Sequence, residues 1–259
     1  MKRSSQLFLL RELVRRDFSQ RYAGSLFGFA WSFIQPVWQL LLLSYVFSLI
    51  MRAPMDEEPT DHFWVFLFCG LLPWTAIHEG ILRSATVIVE HADMVKKIAF
   101  PSEILVVAVT STALIHQGIT LTVFLGALVV VGELAWQNLW VLPVAFVLQV
   151  LLTLGIGYFM AAVQVYFRDA AQLLGLLLNA WFFLTPIVYP LGMIPEEVRP
   201  VVLANPLAVL VTLYRWIFLG GDAEIWLDGF PGLIATTLGI LVIGILVFRD
   251  LRPGFSDEI

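Results

Sequence analysis

The chain has 259 residues, 59% of them hydrophobic and 14% charged, with a mean hydropathy of +0.87 and a formal net charge of −5. These values lie far from soluble-domain averages and define a polytopic membrane protein. A single cysteine, Cys69, excludes an intrachain disulfide and a cysteine-based metal cluster, and no residue pattern points to a metal site.

Residues 1–27 read as a basic amphipathic helix. Leu7, Leu10, Val14 and Phe18 recur at helical spacing, while Glu12 to Arg16 and Asp17 to Arg21 form i,i+4 acid-to-base pairs on the other face. Such a helix is expected to lie in the membrane interface with its apolar side in lipid. Gly24 and Gly28 then let the chain turn into a first span. This start is polar and basic and lacks the apolar core and small-residue cleavage site of a signal peptide, so it is expected to be retained.

Uncharged stretches over 22–51, 104–132, 134–167, 170–195 and 229–248 each exceed the roughly 18 to 20 residues that cross ~30 Å of hydrocarbon as helix. A sixth, over 63–82, carries Glu79 near one end. Six spans with short connections use up the chain and leave no stretch for a soluble catalytic domain. In the first span Trp31, Trp38 and Tyr45 fall seven apart on one face, with Gln35 and Gln39 beside it. Aromatic faces and amides suit sugar rings, which offer C–H faces and hydroxyl edges. Trp181, Phe182 and Phe183 of the fifth span are candidates to complete such a substrate path. The same residues also suit membrane interfaces and helix packing.

The connection at 84–100 is a short basic break between spans, carrying His91, Asp93, Met94, Lys96 and Lys97, and the chain has only three lysines. Pro101 opens the next helix, with Glu103 in its first turn. The connection at 190–228 contains Pro190, Pro195, Pro200 and Pro206. Asn205-Pro206 read as the N-cap and first-turn proline of a helix that stops at Gly220-Gly221. At about fourteen residues it is too short to span, which predicts an external re-entrant hairpin.

Orientation follows from the basic residues, because short loops rich in lysine and arginine stay in the cytoplasm. Twelve of the fifteen fall on one side: Lys2, Arg3, Arg11, Arg15, Arg16 and Arg21 before the first span, then Arg83, Lys96, Lys97, Arg168, Arg249 and Arg252. Arg52, Arg199 and Arg215 fall on the other. Both termini are expected in the cytoplasm.

The segments "LVRRDFSQRYAGSLFGFAWSFIQP" (13–36), "GLLPW" (70–74), "MVKKIAFPSEIL" (94–105), "YFRD" (166–169), "WFFLTPIVYPLGMIPEEVR" (181–199), "NPLAVLVTLYRWIFLGG" (205–221) and "FRDLRPGFSDEI" (248–259) are collinear over nearly the whole chain. Together they resemble the membrane permease subunit of ABC exporters for O-antigen, teichoic acids and related lipid-linked polysaccharides. The chain departs from capsule-type relatives, which typically read Arg-Phe-Gly where it has Arg21-Tyr22-Ala23, and it has Arg252 where the family often places Glu before Pro.

The resemblance implies an all-α, six-span permease of the bacterial inner membrane that pairs with itself and with two copies of a separate ATPase. That ATPase would use ATP and Mg; no cofactor is expected on the permease, and no nucleic acid is a partner. It further implies that His91, Asp93, Met94, Lys96 and Lys97 form a coupling element seated in the ATPase. The N-terminal helix would be a gate near the lipid-linked substrate and membrane lipids. Arg15, Arg16 and Arg21 lie on that gate helix, and the external hairpin would shape the exit. Arg15 and Arg16 are expected to face phosphate groups, where a guanidinium forms bidentate contacts.

Two other classes fit less well. There is no Gly-x-x-x-x-Gly-Lys-Ser/Thr phosphate loop, His-Glu-x-x-His or Gly-x-Ser-x-Gly, so ATP hydrolysis, zinc proteolysis and serine hydrolysis of those types are excluded. An ion-coupled secondary transporter needs ionisable groups near the midplane, for which His116 is the best candidate, Glu79 being explained by Arg83 one turn away. A membrane-bound sugar or acyl transferase needs a histidine and carboxylate cluster, whereas His62, His78, His91 and His116 are dispersed.

Overall fold

The computed structural model describes residues 3–22, 27–46, 59–96 and 100–259. Among these it is helical throughout, with α1 (Arg3–Tyr22), α2 (Trp31–Ser44), α3 (Phe63–Glu90), α4 (Ala92–Val95), α5 (Glu103–Val131), α6 (Leu142–Tyr166), α7 (Ala170–Leu184), α8 (Arg199–Leu203), α9 (Pro206–Leu219), α10 (Glu224–Leu251) and α11 (Phe255–Glu258).

Four helical stretches are long and apolar enough to cross a membrane: Phe63–Glu90, Glu103–Val131, Trp136–Tyr166 and Trp226–Glu258. This modifies the expectation of six full-length spans. The fifth stretch is helical only over α7, whose 15 residues reach about 22 Å before the chain turns at Thr185. The first is helical from Gly28 through α2 to the last described residue, 46, and its expected end, 47–51, lies outside the described residues.

In lipid, apolar side chains gain nothing from leaving the hydrocarbon for a protein interface, so helices associate through close packing and hydrogen bonds. Glycines supply the close approaches here. A Cβ on Gly155 of α6 would lie 2.8 Å from Leu241 Cα of α10, and one on Gly244 would lie 2.0 Å from the Gly155 carbonyl oxygen. Where α3 crosses α6, a Cβ on Gly80 would meet Thr153 at 2.7 Å and one on Gly157 would meet Ser84 at 2.9 Å. The buried amides of Gln117 and Gln149 bond each other reciprocally at 3.0 and 2.6 Å, and Tyr214 Oη donates to Gln149 Oε1 at 2.6 Å. This satisfied polar knot ties α5, α6 and α9 where an unpaired amide would be costly.

The predicted short helix is α9. Asn205 caps it, its side-chain oxygen accepting from Leu207 N at 3.0 Å, and it ends at Gly220 and Gly221, whose φ values of 79° and 88° suit glycine. A helix apolar all round must be buried all round; Leu207, Ala208, Leu210, Leu213 and Tyr214 have no accessible surface. It packs against α3, α6 and α10. Arg215, placed in an outer connection by the sequence reading, is instead 6% exposed. Its guanidinium lies 3.5 Å from the centre of the Phe66 ring and donates to Ile187 O at 2.8 Å. At the far end of α9, Ala135 N donates to Phe218 O at 2.8 Å and Asn138 Nδ2 to Trp216 O at 2.8 Å. α9 therefore lies within the bundle, its last turn bonded to the segment that follows α5. The return of the hairpin is shorter than expected, because α10 already begins at Glu224.

A second hydrophobic cluster marks the opposite end. It joins Leu13 of α1, Val87 and Ile88 of α3, Leu105 of α5, Val165 of α6, Phe248 of α10 and Phe255 of α11. The helices α1 and α11 thus meet α4 at one cluster. The helix α1 packs along α5 and buries Leu13 to 8% exposure, while on its expected apolar side Leu7 is 68% exposed and Leu10, Val14 and Phe18 are half-buried.

Candidate substrate path and coupling face

The side chains singled out in the first span rise from α2, which packs on α5 and α3. Gln35, Trp38 and Gln39 wall a cavity of about 370 Å³. Opposite them stand Thr75 and Glu79 of α3 and His116, Gln117 and Thr120 of α5. Trp38 remains 64% exposed, so its ring is open beyond the cavity as well as to it. Trp31 and Tyr45 continue the stripe at 38% and 59% exposure but do not wall the cavity. The space holds flat aromatic surface, amide and hydroxyl groups, one carboxylate and one imidazole, a combination able to stack on rings and bond to hydroxyls.

The fifth-span aromatics form a different group. Trp181 packs edge-on against Trp74 at 6.3 Å, Phe182 lies 5.5 Å from Trp74, and Phe183 lies 5.1 Å from Phe182. Trp181 Nε1 donates to Asn205 Oδ1 at 2.9 Å, and Asn205 Nδ2 donates to Thr185 Oγ1 at 2.9 Å. The cap of α9 therefore fixes the Trp181 indole, while Phe183 is 66% exposed. Sequence reading misses Trp74 and His78, with ring centroids 5.5 Å apart, as neighbours of this group. The only signal for Trp74 is its place in the "GLLPW" segment.

Of the gate arginines, Arg15 and Arg16 are exposed on α1. Arg15 borders a groove with Leu10, Val14, Phe18 and Ile115. Arg21 lies in α1, its side chain outside the described residues. Asp17, read as the local partner of Arg21, is bonded by Arg83 of α3. Arg83 also lies 3.7 Å from Glu79, as the sequence spacing suggests. A chain of charges thus runs from the cavity wall through α3 to the N-terminal helix.

Beyond Glu90, α4 occupies the centre of the expected coupling segment. His91 Nδ1 is 3.0 Å from Val87 O, and Met94 and Val95 pack on the cluster at this end. Asp93 and Lys96 are exposed, and Lys97 lies outside the described residues. The helix has one face held by the bundle and one presenting charge outward.

A bundle of apolar helices with a polar-walled cavity and a short charged helix at one end is the form of a transporter's membrane component. Residues 9–219 match the family model described as ABC-2 type transporter. The chain belongs to the ABC-2 type transporter family and is its membrane permease subunit, a non-catalytic component. It is 32% identical over 256 residues to the O-antigen export system permease protein RfbA of Myxococcus xanthus, covering 97% of this chain and 95% of that one. It is 28% identical over 255 residues to RfbA of Klebsiella pneumoniae, covering 96% and 94%. To the polysialic acid transport protein KpsM of Escherichia coli it is 25% identical over 245 residues, covering 94% and 93%.

Proposed function

We propose that this permease moves a lipid-linked polysaccharide, O-antigen-like or related, outward across a bacterial inner membrane. It acts as a homodimer driven by two copies of a separate ATPase, with ATP and Mg bound there. Near full-length similarity to polysaccharide export permeases supports the class of cargo. The observation that carries the sugar reading is the cavity in which Trp38 stands between Gln35 and Gln39, facing Thr75, Glu79 and His116. Rings and amides in that setting grip a sugar weakly and repeatedly, as a sliding polymer requires.

The six-span reading is supported by parity. Each crossing switches sides, and both termini lie at one end, so the number of crossings is even; α2 and α7 added to the four long helices make six. The excess of basic residues at the terminal end places that end in the cytoplasm. In this arrangement α1, with Arg15, Arg16 and Arg21, is the gate near the lipid-linked substrate, α4 is the coupling element, and the hairpin bearing α9 shapes the outer exit.

Two measurements test this. Affinity purification of the chain from native membranes is expected to recover a phosphate-loop ATPase; recovery without one, with transport driven by a proton gradient, would favour an ion-coupled carrier. Glutamate at both Lys96 and Lys97 is expected to abolish export with insertion intact, because Arg83 and the basic N-terminal segment still set topology. Normal export by the correctly inserted double variant would remove α4 from the coupling role.

A further inference from the structure

We infer that the C-terminal tail is the brace that holds the coupling element α4 to the bundle, with Arg252 as its positioning residue; this rests on α4 being the ATPase contact.

A four-residue helix has almost no stability of its own, because helix nucleation is unfavourable. Its orientation depends on what holds it. α3 delivers it at His91, Met94 and Val95 pack on the end cluster, and α11 touches it directly. Further along the chain, the tail grips the turn into α5 at Phe100 to Glu103. Arg252 Nη1 donates to Glu103 Oε1, and Arg252 Nη2 donates to Phe100 O at 3.2 Å. One guanidinium thereby fixes both a side chain and a backbone carbonyl, a fork that lysine does not reproduce.

The tail is itself anchored. Tyr166 Oη at the end of α6 donates to Leu251 O at 2.8 Å. A Cβ on Gly254 would sit 2.3 Å from that hydroxyl, so the close approach requires glycine. Phe255 is 1% exposed and lies 5.4 Å from Phe248 and 6.4 Å from Tyr166. The last helix, α11, contacts both α4 and α6. Through these contacts a displacement of α4 passes to α6 and α10, which are locked together by Gly155 and Gly244. Without Arg252 the same displacement is taken up in the turn before α5.

Arg252 and Glu103 are partly exposed, with side chains 39% and 31% accessible, and ion pairs of that kind add little to stability. Their loss should therefore appear as lost coupling, not lost protein.

The experiment compares Arg252→Gln, Glu103→Gln and the double variant in complex with the ATPase. It measures assembled complex, ATP hydrolysis and export of the cell's own lipid-linked polymer. Each single change is expected to lower polymer exported per ATP hydrolysed about three- to ten-fold at normal assembly. The double variant should be no worse than the poorer single, and Arg252→Lys should recover only part of the loss. Wild-type export per ATP in the single variants, multiplication of the two losses in the double, or a loss confined to the amount of complex would each overturn the inference. Should Arg252→Gln fail to assemble, Glu103→Gln carries the measurement. The Lys96, Lys97 double-glutamate variant serves as the reference: if it is uncoupled while Arg252→Gln is normal, the brace alone is wrong, and if it is normal, the coupling role of α4 falls first.

Discussion

At the residue scale, Trp38 is the side chain on which the proposed sugar path turns. It walls the cavity yet leaves most of its ring accessible, as a stacking platform must. Trp38→Leu keeps α2 apolar and removes the flat surface, so export per assembled complex should fall about five-fold, the equivalent of ~1 kcal/mol of ring contact. ATP hydrolysis should persist. Export that declines only in step with the amount of assembled complex would mean that Trp38 is a packing residue. Arg15 is the matching test on the proposed gate. It is exposed and lies beside apolar side chains that suit acyl chains. Arg15→Lys retains the charge but not the two-pronged geometry for phosphate, and export should drop several-fold with insertion unchanged. A silent substitution would reduce Arg15 to a topology signal.

The residues also show where sequence reading stops. Asn205, Pro206, Gly220 and Gly221 define α9 to the residue because capping and left-handed backbone are local requirements. The tie between Glu79 and Arg83 is legible too, since i,i+4 neighbours follow from helix geometry alone. The same rule pairs Asp17 with Arg21, yet Asp17 meets Arg83, 66 positions away, where α1 packs along α5 beside α3. The convergence of Trp38, Glu79 and His116 depends on the relative depth of three helices, which no periodicity encodes. Arg252 and Glu103, 149 positions apart, are likewise invisible as a pair. Arg215 looks like a loop charge because nothing in its neighbourhood names Phe66 or Ile187 as partners.

At the scale of elements, the bundle depends on how closely its helices approach. Gly244→Ala would force a methyl to 2.0 Å from the Gly155 carbonyl oxygen, and α6 and α10 would have to separate. Overpacking of this kind costs about 1–3 kcal/mol. A clear drop in the thermal unfolding midpoint of the detergent-solubilised protein is expected. On the same helix, a methyl at Gly239 would meet nothing within 4 Å, so Gly239→Ala should hold or slightly raise the midpoint. Equal effects at the two sites would show that helix propensity, not close approach, governs this pair.

For the whole molecule, the division into two hydrophobic clusters matters most. One fills the half around α9, and the other fills the half that carries α1, α4 and α11. The cavity borders the first cluster at Phe68, Leu71 and Leu72, and Gln117 of the polar knot stands in its wall. The proposed coupling face and the proposed exit lie with different clusters, and α3, α5, α6 and α10 contribute side chains to both.

The buried hairpin also has a bearing on biogenesis. To the machinery that inserts nascent chains, α9 offers an apolar stretch too brief to be left across the bilayer, and its partners in α3, α6 and α10 are spread over synthesis from beginning to end. α9 can settle only after α10 has followed it out of the ribosome, so the outer half is completed last. Reporter enzymes fused after residue 190 and after residue 222 should consequently occupy the same compartment, and opposite compartments would mean that α9 crosses. A chain halted before α10 should leave α9 uncovered and open to proteolysis, while the cluster around Val87, Leu105 and Val165 is already in place.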